Sequence, residues 1–156
     1  MLLTLILGIL ISCSKDEVYS DYKSLPGHWP MDDTLEFSLP EMDSITAYDV
    51  FLNVRNTNDF KYSNLFLIVS MNFPHGKVVT DTLEYQMALP DGTWLGSGGT
   101  IKENKLWYKE GIRFFEEGNY SLKIRHAMRN NASVEGVTEL EGITDVGISV
   151  EKANKE

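Results

Sequence analysis

Apolar side chains alternate with polar ones along several short segments of this chain, and this pattern constrains the fold more than any other feature. The clearest segment places these side chains on one face: Tyr120, Leu122, Ile124, His126 and Met128. Further alternating segments begin at Leu35, Tyr48, Val79 and Val146. A period of two residues is typical of β-strands that bury one face. Residues 63–73 are apolar on both faces for much of their length, which indicates a central strand.

Turn-forming residues separate these segments, for example Pro90-Asp91-Gly92. About seven or eight strands at this spacing, with no convincing helical pattern, predict an all-β fold. We therefore expect one antiparallel β-sandwich domain over residues 29–152, either jelly-roll or immunoglobulin-like. The span 102–117 fits neither period, and we predict a strand near residues 111–115. Gly118-Asn119-Tyr120 resembles the turn and tyrosine that pin the corner of a β-sandwich.

A short apolar leader precedes the only cysteine of the chain. The leader is too short for a membrane-spanning helix, which needs about 20 apolar residues, but it suits a signal peptide. Residues 10–13, Leu-Ile-Ser-Cys, resemble the lipobox of bacterial lipoproteins. We predict a signal peptide over residues 1–12 and lipidation of Cys13. The position of Cys13 favours lipidation over a free thiol, an intermolecular disulfide or a catalytic nucleophile.

Residues 13–28 are predicted to form the lipidated N-terminus and a flexible tether, because they are polar and lack any period. Lys15, Asp16 and Glu17 resemble an acidic export signal that sends some lipoproteins of the Bacteroidota to the cell exterior, although a solvated linker explains them equally well. The net charge of -9 and the lack of a basic run argue against binding of nucleic acid or anionic lipid headgroups. The contact with the membrane is therefore expected to come from the lipid on Cys13.

Few residues suggest chemistry. The three histidines, His28, His75 and His126, do not form a metal-binding cluster with the single cysteine, so no metal and no cofactor is expected. The sharpest catalytic hypothesis joins Asp81 to His126, with Arg55 or Arg129 nearby. We prefer the structural interpretation, in which these inward polar groups satisfy each other's hydrogen bonds.

A set of short motifs carries a family resemblance. They are Val54-Arg55-Asn56, Tyr62-Ser63-Asn64-Leu65, Asp81-Thr82-Leu83-Glu84, Gly92-Thr93-Trp94-Leu95-Gly96, Gly118-Asn119-Tyr120, His126-Ala127-Met128-Arg129 and Gly142-Ile143-Thr144-Asp145-Val146-Gly147-Ile148. In this order they resemble the GldH gliding-motility lipoproteins of the Bacteroidota. The resemblance implies a non-enzymatic lipoprotein of the cell envelope, with the outer membrane as the expected location and its face left open. It also implies a role in gliding machinery that is tied to type 9 secretion.

Two binding functions follow as hypotheses. The first is an interaction with another envelope protein through Trp94 and Leu95 in one turn, and through Val134 and Val137 in the loop 130–141. The second is carbohydrate binding, because Trp29, Trp94 and Trp107 could stack on sugar rings. An exposed row of these aromatic side chains would favour a glycan, whereas burial of all three tryptophans would favour a protein partner.

Overall fold

A computed structural model of the chain describes residues 16–154. This part of the chain contains ten β-strands and no helix, and so it holds no helix that could span a membrane. The strands are β1 Glu17–Ser24, β2 His28–Pro30, β3 Leu35–Ser38, β4 Tyr48–Asn56, β5 Asn64–Asn72, β6 Val78–Gln86, β7 Lys102–Ile112, β8 Ser121–His126, β9 Glu139–Glu141 and β10 Ile143–Lys152.

Two four-stranded antiparallel sheets form the sandwich. Sheet 1 has the order β1-β10-β4-β7 and sheet 2 the order β3-β8-β5-β6, while β2 and β9 form a small separate pair. The inward faces of both sheets contribute to one core, which includes Val50, Leu52, Leu67, Val69, Leu122, Ile124, Ile148 and Val150. Burial of each such side chain stabilises the fold by about 1.5–3 kcal/mol. The predicted antiparallel β-sandwich is confirmed.

The strands run between two ends of the sandwich. At one end, called here the loop end, β4 and β8 finish and β5 begins, so the loops 57–63 and 127–138 lie there. At the opposite end, called here the turn end, the turn 73–77 joins β5 to β6, and residues 113–120 join β7 to β8. The connection 87–101 between β6 and β7 also lies at the loop end. All four binding residues predicted from the sequence, Trp94, Leu95, Val134 and Val137, are therefore in loops at that end.

The N-terminal boundary differs from the prediction. Residues 17–24, expected to belong to a flexible tether, form β1 and pair with β10. The hydroxyl of Tyr19 donates a hydrogen bond to the backbone oxygen of Ser38 at 2.9 Å, and Tyr22 packs over Gly147, which lies opposite it. β1 is an edge strand held by main-chain hydrogen bonds, and such a strand needs no apolar alternation. Residues 1–12 and Cys13 lie outside the described residues.

The strand expected near residues 111–115 is also displaced, because β7 covers Lys102–Ile112. Its pairing with β4 contains register shifts on either side of Val50, and a shifted register interrupts the alternation of faces along the sequence. By contrast, the corner motif is found as predicted. The hydroxyl of Tyr120 accepts a hydrogen bond from the backbone N–H of Glu116 at 3.0 Å, which closes the connection between β7 and β8.

Candidate functional site

An apolar cleft opens at the turn end of the sandwich, between the edge strands of the two sheets. Its volume is about 480 Å³. Its apolar walls come from Met71 and Phe73 at the end of β5, Val79 in β6, Ile112 in β7, and Phe114 and Phe115 beyond β7. Because β6 and β7 are both edge strands, no further strand of the described chain covers the gap between them.

Two adjacent phenylalanines explain why this cleft has an exposed apolar rim. Phe114 is buried, and its ring centroid lies 5.8 Å from that of Tyr48 and 4.9 Å from that of Tyr120. Phe115 follows directly and is 72% exposed. With Phe114 held in the core, the next side chain of an extended backbone points the opposite way. Phe115 therefore presents a large apolar surface to the solvent at the cleft.

The charge of the cleft differs from that of the molecule as a whole. Arg113 and Lys109, the latter paired with Asp81, line the cleft, and no acidic residue among residues 16–154 does. The ammonium of Lys77 lies 4.9 Å from the centroid of the Phe73 ring, which is part of the wall. A chain of net charge -9 thus places an apolar surface with cationic neighbours at one edge. This combination suits a partner that offers an apolar side chain and a carboxylate.

Side chains bridge the two sheets beside the cleft. The Lys109 ammonium lies 2.8 Å from the Asp81 carboxylate, and each of these side chains is 30% exposed. The hydroxyl of Tyr108 donates to the same carboxylate at 3.2 Å. Burial, followed by the charge of Asp81, raises the pKa of Tyr108, so its hydroxyl stays protonated and can donate.

A second phenol crosses the same edge. The hydroxyl of Tyr85 in β6 donates to the backbone oxygen of Trp107 in β7 at 2.6 Å. Burial, with a smaller effect of the Asp81 charge, raises the pKa of Tyr85 to about 12. Asp81, the acidic residue of β6 that points inward, therefore has its partners on β7, and these contacts help to join the two sheets.

The structure does not assemble the catalytic pair that the sequence suggested. Asp81 lies opposite Val69 and His126 lies opposite Leu67, so the two residues occupy strands on either side of β5 and are about 12 Å apart by strand spacing and the two-residue offset. His126 is fully buried at the loop end. The structural interpretation is right that the side chains of Asp81 and His126 have hydrogen-bond partners. It is wrong that they satisfy each other, because Asp81 contacts residues of β7 and His126 contacts backbone groups at the loop end.

The surroundings of His126 define its protonation. Nε2 lies 3.0 Å from the backbone oxygen of Trp29 and must donate to it, while Nδ1 accepts from the backbone N–H of Met128 at 3.4 Å. The ring also packs edge-on against Trp29, with centroids 5.5 Å apart. Burial lowers the pKa of His126, and the hydrogen bond to Trp29 opposes this shift only in part. The imidazole is therefore a neutral structural group.

Arg55 and the other two histidines are held in ion pairs on the surface of the sandwich. Arg55 pairs with Glu103 at 3.6 Å, His28 with Glu139 at 3.5 Å and His75 with Glu116 at 3.1 Å. Across residues 16–154, no group of three or more His, Cys, Asp or Glu side chains could hold a metal ion.

The binding residues predicted from sequence lie at the loop end, away from the cleft. Trp94 is half-buried against Phe60, and its Nε1 donates to the side-chain oxygen of Asn58 at 2.9 Å. Leu95 is exposed, Val134 is 86% exposed, and Val137 packs partly against the core. The loops that carry Trp94 and Val134 are connected through the loop 57–63. Phe60 contacts both Trp94 and Tyr62, and the Tyr62 hydroxyl donates to Asn130 at 2.8 Å. The binding role of Trp94, Leu95, Val134 and Val137 stays a prediction.

The three tryptophans occupy different surroundings and do not form the row that would indicate a glycan platform. Trp29 is fully buried, Trp94 is half-buried and Trp107 is 55% exposed on the outer face of sheet 1. The ring of Trp107 lies against Phe51, with centroids 4.4 Å apart.

Sequence reasoning missed the cleft itself. Its walls come from segments far apart in the chain, and no periodic pattern links them. The one local signal is the pair Phe114-Phe115. Neighbouring side chains of an extended segment point to opposite sides, so burial of one member of this pair directs the other away from the core.

Comparison with known proteins identifies relatives over most of the chain. The family model described as GldH lipoprotein matches residues 17–150. The "Gliding motility lipoprotein GldH homolog" of Christiangramia forsetii is 53% identical over 144 residues, which cover 92% of this chain and 88% of the relative. The "Gliding motility lipoprotein GldH" of Flavobacterium johnsoniae is 47% identical over 145 residues, which cover 92% of this chain and 90% of the relative.

Solved structures resemble the chain only distantly. The VP2 subviral particle of infectious bursal disease virus aligns with a TM-score of 0.44 and 13% identity, over 90% of this chain and 33% of the viral chain. Dimeric latent PorU from Porphyromonas gingivalis aligns with a TM-score of 0.36 and 11% identity, over 88% of this chain and 13% of PorU. Both likenesses are too distant to bear on function.

Proposed function

The chain belongs to the GldH lipoprotein family, and from that membership we propose that it is a non-enzymatic interaction subunit of gliding-motility machinery linked to type 9 secretion. It is a lipid-anchored protein of the cell envelope. We place it in the outer membrane, held by the lipid on Cys13, with its domain free to contact other envelope proteins.

The apolar cleft with the exposed side chain of Phe115 is the observation that carries this proposal. Protein interfaces concentrate their binding energy in a few large side chains that fit apolar pockets, and aromatic residues are common among them. A side chain as exposed as Phe115 gains little for the isolated domain. Its burial by a partner would stabilise a complex by about 1.5–3 kcal/mol.

The test is site-specific crosslinking in the native host. A photoreactive amino acid replaces Phe115 in the full-length lipoprotein, and the same amino acid replaces Val134 at the opposite end as a matched control. We expect crosslinks to a defined envelope protein from position 115, together with loss of gliding in Phe115→Glu. Folding of Phe115→Glu is checked by thermal unfolding. The melting temperature should change little, because the side chain is exposed.

The control distinguishes the two candidate surfaces. If position 134 crosslinks and Val134→Glu stops gliding while Phe115→Glu does not, the interaction belongs to the loop end with Trp94, Leu95 and Val137. If neither position recovers an envelope protein and neither substitution affects gliding, the proposal of an interaction subunit is wrong.

Carbohydrate binding is kept as a second function because of a polar groove on the outer face of sheet 1. The groove has a volume of about 480 Å³ and is lined in part by Tyr22, Asn53, Glu103 and Ser149. Side chains of this kind can exchange hydrogen bonds with sugar hydroxyls. A glycan array probed with the purified lipoprotein would support this function if it gave a saturable ligand whose binding is lost in Asn53→Leu.

A further inference from the structure

The sandwich has unequal edges. Its two main sheets have four edge strands among residues 16–154, and three of these carry features that hinder pairing with a further strand. β3 has only four residues, β1 has a register shift after Glu17, and the free side of β7 is partly covered by pairing of Ser97 with Glu103. Natural sheets use short edges, bulges and covering segments in this way.

The fourth edge, β6, has none of these three features, and the charge of its inward Asp81 is neutralised by Lys109. β6 has nine residues, and each of them pairs with β5 without a register shift. It contains no proline, lysine or arginine. A long regular edge of this kind is a template for an added strand, and exposure of such an edge is a liability that natural proteins usually avoid.

Hydrogen bonds at both ends of β6 show which main-chain groups are free. The N–H of Met87 donates to Ser63 at 2.7 Å, and the backbone oxygen of Lys77 accepts from Phe73 at 2.8 Å. Odd-numbered residues therefore direct their main-chain groups toward β5. By alternation, the following residues direct their N–H and C=O groups away from the sheet: Val78, Thr80, Thr82, Glu84 and Gln86.

The free edge and the cleft are continuous. Val79 belongs to β6 and also forms part of the cleft wall. A strand added beside β6 would direct alternate side chains toward the gap between the sheets, which is open at the cleft and bridged farther along β6 by Asp81 and Tyr85. If this strand runs antiparallel to β6, as all neighbours in this sheet do, its C-terminal part lies over the cleft.

We propose that β6 accepts an extended segment of another envelope protein as a fifth, antiparallel strand of sheet 2. An apolar side chain near the C-terminal end of that segment enters the cleft, and an acidic side chain two residues further on, on the same face of the strand, pairs with Arg113. The proposal rests on the interaction function above and specifies the kind of partner. Main-chain pairing supplies affinity in such complexes, and the pocket supplies specificity.

A second copy of this chain fits the site less well than a different protein. Antiparallel pairing of two β6 strands about Thr82 would bring Gln86 and Tyr85 of the second copy opposite Val78 and Val79. Neither of them offers a carboxylate to the cationic side of the cleft. Two copies with a net charge of -9 each would also repel one another.

The first experiment uses a defined probe with the purified, full-length lipoprotein in detergent. The probe is a capped nine-residue peptide of alternating Val and Thr that ends in Phe-Thr-Glu, so that Phe and Glu share one face. We expect saturable binding, and hydrogen exchange should slow at the outward amides of β6. A peptide with the same side chains but with N-methyl groups on alternate residues should bind at least about tenfold more weakly. Equal binding of the two peptides, or no binding up to about 1 mM, would overturn the proposal.

Variants of Thr82 separate the edge from the rest of the fold. Thr82→Pro removes one outward N–H and leaves the ladder with β5 intact, since proline is tolerated on the free side of an edge strand. Thr82→Val keeps the N–H and serves as the control. We expect about tenfold weaker peptide binding for the proline variant and no change for valine. If thermal unfolding shows that the proline variant is misfolded, Thr82→Lys supplies the same comparison through an edge charge.

The native host distinguishes failure of this inference from failure of the proposed function. Capture of an envelope protein at position 115 that is lost in Thr82→Pro but kept in Thr82→Val supports strand addition. Capture that persists in Thr82→Pro overturns strand addition and leaves the interaction function standing. Crosslinks between two copies of this chain, lost in the same variant, overturn the choice of a different protein as the partner.

Discussion

Replacement of Gly142 by alanine tests how closely the turn between β9 and β10 packs against the loop 57–60. This glycine lies between β9 and β10 with φ at +87°, a region that costs an L-residue about 1–2 kcal/mol. A Cβ atom at this position would lie 2.6 Å from the Asp59 carbonyl carbon and from the Cα of Phe60, and closer still to the N of Phe60. All three are backbone atoms, so the loop 57–60 must move if Gly142 becomes alanine.

That movement would also break hydrogen bonds. The N–H of Gly142 donates to Gly27 at 2.9 Å, and its oxygen accepts from the N–H of Thr57 at 2.9 Å. Each contributes about 1 kcal/mol net. Together with the backbone strain, the loss in Gly142→Ala is about 3–4 kcal/mol, a large part of the 5–15 kcal/mol typical of a folded domain. The corresponding decrease in melting temperature is about 10 °C or more.

Two control variants separate the contributions. Gly76 has φ at +91°, and a Cβ added there would meet nothing within 4 Å, so Gly76→Ala should cost only the backbone strain. Gly99 has neither a positive φ nor a close neighbour, so Gly99→Ala should change stability by less than about 0.5 kcal/mol. The assay is equilibrium unfolding in urea, with thermal unfolding in parallel. A cost for Gly142→Ala within about 1 kcal/mol of that for Gly76→Ala would refute the steric argument.

Three further predictions concern titration, the bridge between the sheets and the membrane anchor. Because burial lowers the pKa of folded His126, the unfolded chain binds more protons below about pH 6.5, so stability should fall from there toward pH 5 by at most about 1.4 kcal/mol per pH unit. Urea unfolding should show a smaller fall for His126→Gln, and an unchanged pH dependence would contradict this. Asp81→Asn should cost about 1–2 kcal/mol, since it weakens a partly exposed ion pair and the hydrogen bond from Tyr108. A double-mutant cycle with Lys109→Met measures the coupling, and a value near zero would argue against a bridge. Cys13→Ala should release a folded domain from membranes on fractionation, and membrane retention with unchanged processing would show that the anchor lies elsewhere.

The alternation of side chains determined much of the sandwich from the sequence alone. β8 buries one face against the core, and in β10 the apolar residues face the core while the small residues Gly147 and Ser149 lie on the other face, so a period of two appears directly in both strands. The corner at Tyr120 was predictable for a related reason, because a local turn and one tyrosine suffice to form it. The short motifs also indicated the family, since they follow one another in the family's order along most of the domain.

Long-range pairing decided the features that the sequence did not reveal. β1 is an exposed edge strand, and its assignment depends on β10, more than a hundred residues later in the chain. The same applies to Asp81, whose partners Lys109 and Tyr108 lie on a strand of the other sheet.

The candidate site is the clearest example of a feature that only the tertiary structure defines. Its walls combine β5, β6, β7 and the segment after β7, and its opening exists because two edge strands lie side by side without a further strand between them. A local pattern records whether a side chain is inside or outside its own strand. It does not record which strand lies beside it, and that arrangement produced both the cleft and the free edge of β6.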